Sequence, residues 1–166
     1  MEIVIDTCIL RDTCEDENRN SYKAQEFVDF VFKEVNNCTL YICIDREGKI
    51  LSEYKQKVGS ECYGAFLIQR AQEIGKIRYV EANRSHPVCR AAKDVSSKLD
   101  NHDLTFLSVT IRTQDKKLFT NDTGFYEPVG EFRINRCSDG RPIPIEPVRN
   151  AGLSLFDVES WEKGFG

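Results

Sequence analysis

EIVID, residues 2–6, decides the fold: three apolar β-branched residues (Ile3, Val4, Ile5) run straight into Asp6. A continuous β-branched run fits a strand covered on both faces, as in a parallel sheet, better than one with a wet face. Ligands of open α/β sheets bind just outside the carboxyl ends of the strands, which is where Asp6 falls. Taken alone, Asp6 reads more readily as a turn cap, since Asp is common in turns. Its meaning depends on whether other acids converge on it.

Outward from that strand, the chain alternates in character. RDTCEDENRN (residues 11–20) is too polar for a core element and reads as a loop or short turn, with Asp12, Glu15 and Asp16 in it. From Ser21, the residues Ala24, Phe27, Val28, Val31 and Val35 recur at helical spacing, and Asn36 and Asn37 end the pattern. TLYICI (residues 39–44) is a second strand, with Asp45 placed to cap the next segment. There Ile50, Leu51, Tyr54 and Val58 form an apolar face before Gly59, and Glu53 lies at its edge. A helix over residues 60–74 has Tyr63, Phe66, Leu67, Ala71 and Ile74 as its expected core face, and IRYV (residues 77–80) is a third strand. A weaker helix starts at Pro87.

Asp100 or Asn101 then caps a helix whose interior (Leu104, Phe106, Leu107, Val109, Ile111) is apolar nearly all round. Asp103 in its first turn is favoured by the helix dipole. It shares a face with Leu107 and Thr110 and so looks inward, where an unpaired acid is costly and a cation is a natural neighbour. KLFTND (residues 117–122) repeats the opening pattern, a short strand ending in an acid, Asp122. Residues 131–134 read as a last strand, followed by an SDGR turn and a proline-punctuated stretch. Strands alternating with helices call for a parallel sheet with right-handed crossovers.

The 166 residues suffice for one domain with a single core. Met1 is followed at once by a strand and no long apolar run occurs, so the sequence reads as a cytoplasmic protein with no membrane association. The seven cysteines are odd in number and show no CxxC pair, and they read as reduced thiols. A net charge of −4 argues against a binder relying on a large basic surface, while leaving nucleic acid open as a substrate. Phosphate-binding glycine loops are absent.

Together these pieces resemble the PIN-domain nucleases: IVIDT with Asp6 and Thr7, ILSEY with Glu53, HDLTFL with Asp103, and LFTND with Thr120, Asn121 and Asp122, followed by Phe125. The resemblance covers residues 1–135 and implies a three-layer α/β/α Rossmann-like sandwich around a mostly parallel sheet. It implies hydrolysis of RNA, or less often structured DNA, with Mg²⁺ or Mn²⁺ held by Asp6, Glu53, Asp103 and Asp122 and with 5′-phosphate and 3′-hydroxyl products. Thr7, Thr120 and Asn121 are the supporting residues. Carboxylates are the hard ligands these ions prefer. One departure is Gly124, where many members carry a further acid.

The resemblance leaves open an antitoxin or an ATPase as protein partner, a role in a toxin pair or in defence, and a homodimer. Arg46, Lys49, Lys55, Arg112 and Lys116 are candidate substrate-steering bases, as are Lys57 and Lys117; each also reads as a solvated surface charge. On this reading residues 1–149 form the nuclease domain. Residues 150–166 form a C-terminal tail, partly packed or partner-binding, outside a sheet already complete, although Leu153, Leu155, Phe156 and Trp161 argue for burial. Competing readings are a silent PIN-like module that binds RNA or protein, a receiver-like domain, and an all-helical phosphohydrolase built on His102 and Asp103.

Overall fold

The computed structural model describes residues 1–14 and 19–166; Glu15 and Asp16 of the acidic loop lie outside them. In chain order the elements are β1 (Glu2–Ile5), α1 (Thr7–Asp12), α2 (Arg19–Asn36), β2 (Tyr41–Asp45), α3 (Lys49–Lys57), α4 (Tyr63–Glu73) and β3 (Ile77–Val80). There follow α5 (Pro87–Val95), α6 (Asn101–Arg112), β4 (Lys117–Phe119), β5 (Pro128–Val129), β6 (Arg133–Ile134), α7 (Glu146–Asn150) and β7 (Ser154–Phe156).

Five strands form one parallel sheet in the order β3-β2-β1-β4-β7, flanked by helices as an α/β/α sandwich. Ile3, Val4 and Ile5 are fully buried, as a central strand covered on both faces requires. The chain runs outward from β1 through β2 to β3, then returns to place β4 on the other side of β1. This reversal opens a crevice at the carboxyl ends of β1 and β4, the switch point where open α/β sheets bind ligands. Ile5 is in register with Phe119, so Asp6 and Thr120 emerge side by side, and the Asp6 N–H donates to the Phe119 carbonyl at 2.9 Å.

The structure corrects several sequence expectations. Helix α1 begins directly after Asp6 and buries Ile9 and Leu10, where the polar run masks a short amphipathic helix. In α4 the buried residues are Gly64, Leu67, Ile68 and Ala71, and Phe66 is half exposed. Gly64 sets that rotation: a Cβ there would lie 2.7 Å from the Leu10 carbonyl oxygen, so the helix turns its bare edge toward α1. Glu53, placed at the edge of an apolar face by its spacing, is buried.

The sheet is not complete before residue 150. The residues expected as its last strand form instead a small antiparallel ribbon of β5 and β6, and the fifth strand is β7, with Leu155 opposite Leu118 and Phe156 opposite Phe119. The following residues close over an aromatic nest. Phe119 lies 5.3 Å from Phe156 and 5.2 Å from Phe165, and Trp161 lies 5.9 Å from Phe27 of α2. Gly164 passes so close that a Cβ would meet the Phe119 ring at 2.7 Å.

Not all cysteines are reduced: Cys14 and Cys62 form a disulfide between the turn after α1 and the residue capping α4, a pairing 48 residues apart that no local motif announces. Cys8, Cys38, Cys43, Cys89 and Cys137 are free. Among the described residues no helix is long and apolar enough to cross a membrane.

Candidate metal centre

Three of the acids meet at the switch point. Asp6 follows β1, Asp103 stands in the first turn of α6 and Asp122 follows β4, and each offers a carboxylate oxygen within 4.8 Å of the others. Their positions are fixed by hydrogen bonds made by their neighbours. The Thr120 hydroxyl, fully buried, donates to Asp6 Oδ2 at 2.6 Å and accepts from the Asp122 N–H at 3.0 Å, tying the two strand-end acids together. Asp103 forms a reciprocal capping box with Asp100, each backbone N–H donating to the other's carboxylate at 2.9 Å. Asp122 Oδ1 accepts the Gly124 N–H at 2.8 Å and so caps the short 3₁₀ turn Thr123–Phe125.

Electrostatics match that crowding. Burial pushes the Asp6 carboxyl up to about 6, with the charges of Asp122 and Glu53 adding and the Thr120 hydrogen bond opposing. Burial likewise raises Asp103 to about 8, against the Asp100 hydrogen bond and with Asp122 and Asp6 adding. Acids that raise one another's pKa are a poor arrangement for the chain alone and a good one for a divalent cation, whose charge reverses the balance. The residues fit such an ion. All three candidate ligand groups are hard oxygens, and the Thr7 hydroxyl, next to Asp6 in sequence, is buried without a hydrogen-bond partner among the described residues.

Glu53 stands apart from this triad. Its carboxylate is held by Lys57, one turn along α3, at 3.1 Å and by His102 Nδ1 of α6 at 3.5 Å, and its charge is felt at Asp6. Asn121 is a clamp: its Nδ2 donates to Asp12 Oδ2 at 3.0 Å, its Oδ1 accepts the Val158 N–H at 2.9 Å, and its own N–H points to Cys8 Sγ at 3.4 Å. The loop carrying Asp122 is thereby pinned to α1 on one side and to the C-terminal segment on the other. Burial raises the Cys8 thiol well above its ordinary value, so it serves as a neutral packing group.

Among the described residues no hydrogen bond or ion pair joins the steering candidates to the triad. Arg46 and Arg112 both pair with Glu81, beyond β3, at 3.5 and 3.7 Å, and Lys49 pairs with Glu47 at 3.0 Å. Lys116 and Lys117 lie at the amino end of β4, the far end from Asp122, and Lys55 lines an apolar cavity between α3 and α4.

Sequence reading passed over Cys8 and Asp12 as parts of this architecture, and gave His102 a role only in the all-helical alternative. Cys8 and Asp12 are four residues apart, which puts them on one face of a helix, a signal visible once Thr7–Asp12 is taken as helical. Gly124 is crowded: a Cβ would lie 3.1 Å from Asp122 Oδ1, from Leu99 and from Lys98, so this turn has no ready space for a further acid.

No family model, no curated protein and no solved structure matches the chain. The site must therefore be judged on its own chemistry.

Proposed function

We propose that the chain is a divalent-metal-dependent nuclease of the PIN-domain type, hydrolysing phosphodiester bonds of RNA. One observation carries this reading: Asp6, Asp103 and Asp122, from three separate elements, converge within 4.8 Å at the switch point of a parallel sheet. A structural acid cluster would be offset by bases, and among the described residues no ion pair joins a base to Asp6, Asp103 or Asp122.

In this reading Asp6, Asp103 and Asp122 hold Mg²⁺ or Mn²⁺. The bound ion would supply Lewis-acid polarisation of the phosphoryl group and lower the pKa of an attacking water. The chain's own residues do the rest. Thr120 holds Asp6 and Asp122, two of the residues that would carry the ion, in a fixed relation. The capping box keeps Asp103 turned to the pocket, and the Asn121 clamp fixes the loop that presents Asp122. Glu53, engaged by Lys57 and His102, is a flanking acid whose charge reaches Asp6. No side-chain nucleophile is required.

The test is cleavage of a single-stranded RNA by the purified protein with Mg²⁺ or Mn²⁺, with EDTA, and after Asp122→Asn. Cleavage that needs the ion and is lost in the variant supports the proposal; cleavage that persists in excess chelator, or survives Asp122→Asn undiminished, overturns it.

A further inference from the structure

The ribbon between β4 and α7 is held firmly at its base. The Tyr126 hydroxyl donates to the Thr120 carbonyl at 2.7 Å, the Ile145 N–H donates to the Phe125 carbonyl at 3.0 Å, and Arg136 pairs with Asp157 at 2.6 Å. The arms are zipped by the Asn135 N–H donating to Glu127 at 2.7 Å and the Glu127 N–H donating to Ile143 at 2.8 Å. At the tip, Gly130 takes a positive φ of 71° and the chain turns back through Phe132. A well-anchored ribbon thus carries a phenyl ring that is 91 % exposed, the most exposed large apolar side chain described.

That ring borders an open cavity of about 440 Å³. Asn121 and Thr123, the two residues that bracket Asp122, line the same cavity, so the aromatic wall stands beside the loop that carries Asp122. Charge on the ribbon points the same way. Arg136, Arg141 and Arg149 are paired with Asp157, Asp139 and Glu127, whereas Arg133, beside Phe132 and lining the cavity, has no carboxylate partner among the described residues. Asp157 and Glu159 also line the cavity, and the former is neutralised by Arg136.

We infer that Phe132 and Arg133 form a docking platform for an unpaired nucleotide of a single-stranded RNA, the base stacking on the Phe132 ring and a phosphate meeting the Arg133 guanidinium. The inference rests on the nuclease reading for its ligand class. A ring with an open face beside an unpaired guanidinium is the pairing that single-strand binders use, since every base has a π-face and every linkage a negative charge. A duplex hides its base faces and would not be held this way. The exposed large apolar residues of the ribbon are Phe132 and Val129, far short of the roughly 800 Å² per partner of a stable protein interface. The platform therefore selects unpaired RNA and holds the strand beside the loop that carries Asp122.

The experiment uses the full chain carrying Asp122→Asn, so that the probe stays intact, and measures binding of a fluorescein-labelled 12-nucleotide oligoadenylate by anisotropy. Adding Phe132→Ala is expected to weaken binding about tenfold, in the range of a single base stack, with the melting temperature unchanged because the ring is exposed. Phe132→Trp is expected to restore it, with tryptophan fluorescence changing on binding. Arg133→Gln is expected to weaken binding and lower the salt-dependence slope by about one contact. None of these variants should change binding of an RNA duplex of the same length. The platform is overturned if Phe132→Ala binds the single strand within twofold of its parent, if single strand and duplex lose equally, or if the change instead dissolves a dimer seen by sedimentation. Cleavage by otherwise unaltered protein is scored separately. If it is absent but the single strand still binds through Phe132, the nuclease reading fails and the platform stands; if cleavage is present and Phe132→Ala leaves affinity intact, only the platform fails.

Discussion

Strand β4 feeds two opposite kinds of cluster within a few residues. Phe119, its last residue, enters a nest with Phe27, Phe156 and Phe165 in which each ring is in contact with another. Just beyond it, Asp122 enters a pocket with Asp6 and Asp103 in which charge repels charge. Burial does opposite things in the two places. It stabilises the rings, by about 25 cal/mol for each Å² withdrawn from water, and it raises the carboxyl pKa values by removing the water that would solvate them. The nest supplies the cohesion against which the repulsion among the three acids is held in place.

The largest expected effect comes from breaking the nest. Removing residues 150–166 takes away β7 and Trp161 with Phe165, leaving β4 without a neighbour on one side, and the truncated chain should lose its cooperative melt. Within the full chain, Phe156→Ala should cost about 3 kcal/mol in denaturant unfolding. A truncated protein that melts as sharply as the full chain would show that the nest is not the source of stability.

Breaking the pocket should do the reverse. Asp6→Asn and Asp122→Asn are each expected to lower metal-dependent cleavage about 100-fold or more, yet in EDTA they should melt at the same or a higher temperature, since each removes one of the repelling charges. Adding Mn²⁺ should raise the melting temperature of the wild type more than that of either variant, because ligand stabilisation follows occupancy of the folded site. Unfolding of either variant in EDTA would assign the acid a structural role instead.

A smaller effect sharpens the contrast by pH. Asp6 and Asp103 have folded-state values of about 6 and about 8, above the ordinary carboxylate value, so the folded protein holds protons that the unfolded chain releases. Stability should therefore be greatest below about pH 4 for these groups and decline as pH rises toward 8, by about 3 kcal/mol from the buried Asp6 alone without metal. The decline should shrink in Asp103→Asn. Urea midpoints measured across that window in EDTA check the sign, and a rise with pH would contradict it.

The smallest effects belong to the remote bases. Lys116→Gln and Arg112→Gln should leave cleavage within about twofold, since one lies at the far end of β4 and the other is paired with Glu81. A large loss of activity in either would place substrate along a path the triad does not suggest.

The parts legible in the sequence were those with long or doubled signals. Five regularly spaced apolar residues announce α2, the β-branched run announces β1, and an acid closing each of the runs EIVID and KLFTND marks Asp6 and Asp122 for one crevice. Short elements defined by distant partners were not legible. Helix α1 has six residues, β7 has three, and neither offers enough periods to outvote its polar neighbours. Glu53 reads as an acid at a helix edge, but its carboxylate meets His102 of another helix, and the Cys14–Cys62 pairing spans two elements with no local spacing rule. The exposed ring of Phe132 could not be told from a core residue until the ribbon turned it outward.

The hydrogen bond from Thr120 to Asp6 joins residues 114 positions apart, between neighbouring strands at the middle of the sheet. Closing so long a loop is entropically slow. The triad exists only after β1 and β4 have joined, so on the nuclease reading metal binding would report completed folding rather than local structure. In a refolding experiment, Mn²⁺-dependent signals should appear with the last kinetic phase and never with the early gain of helix.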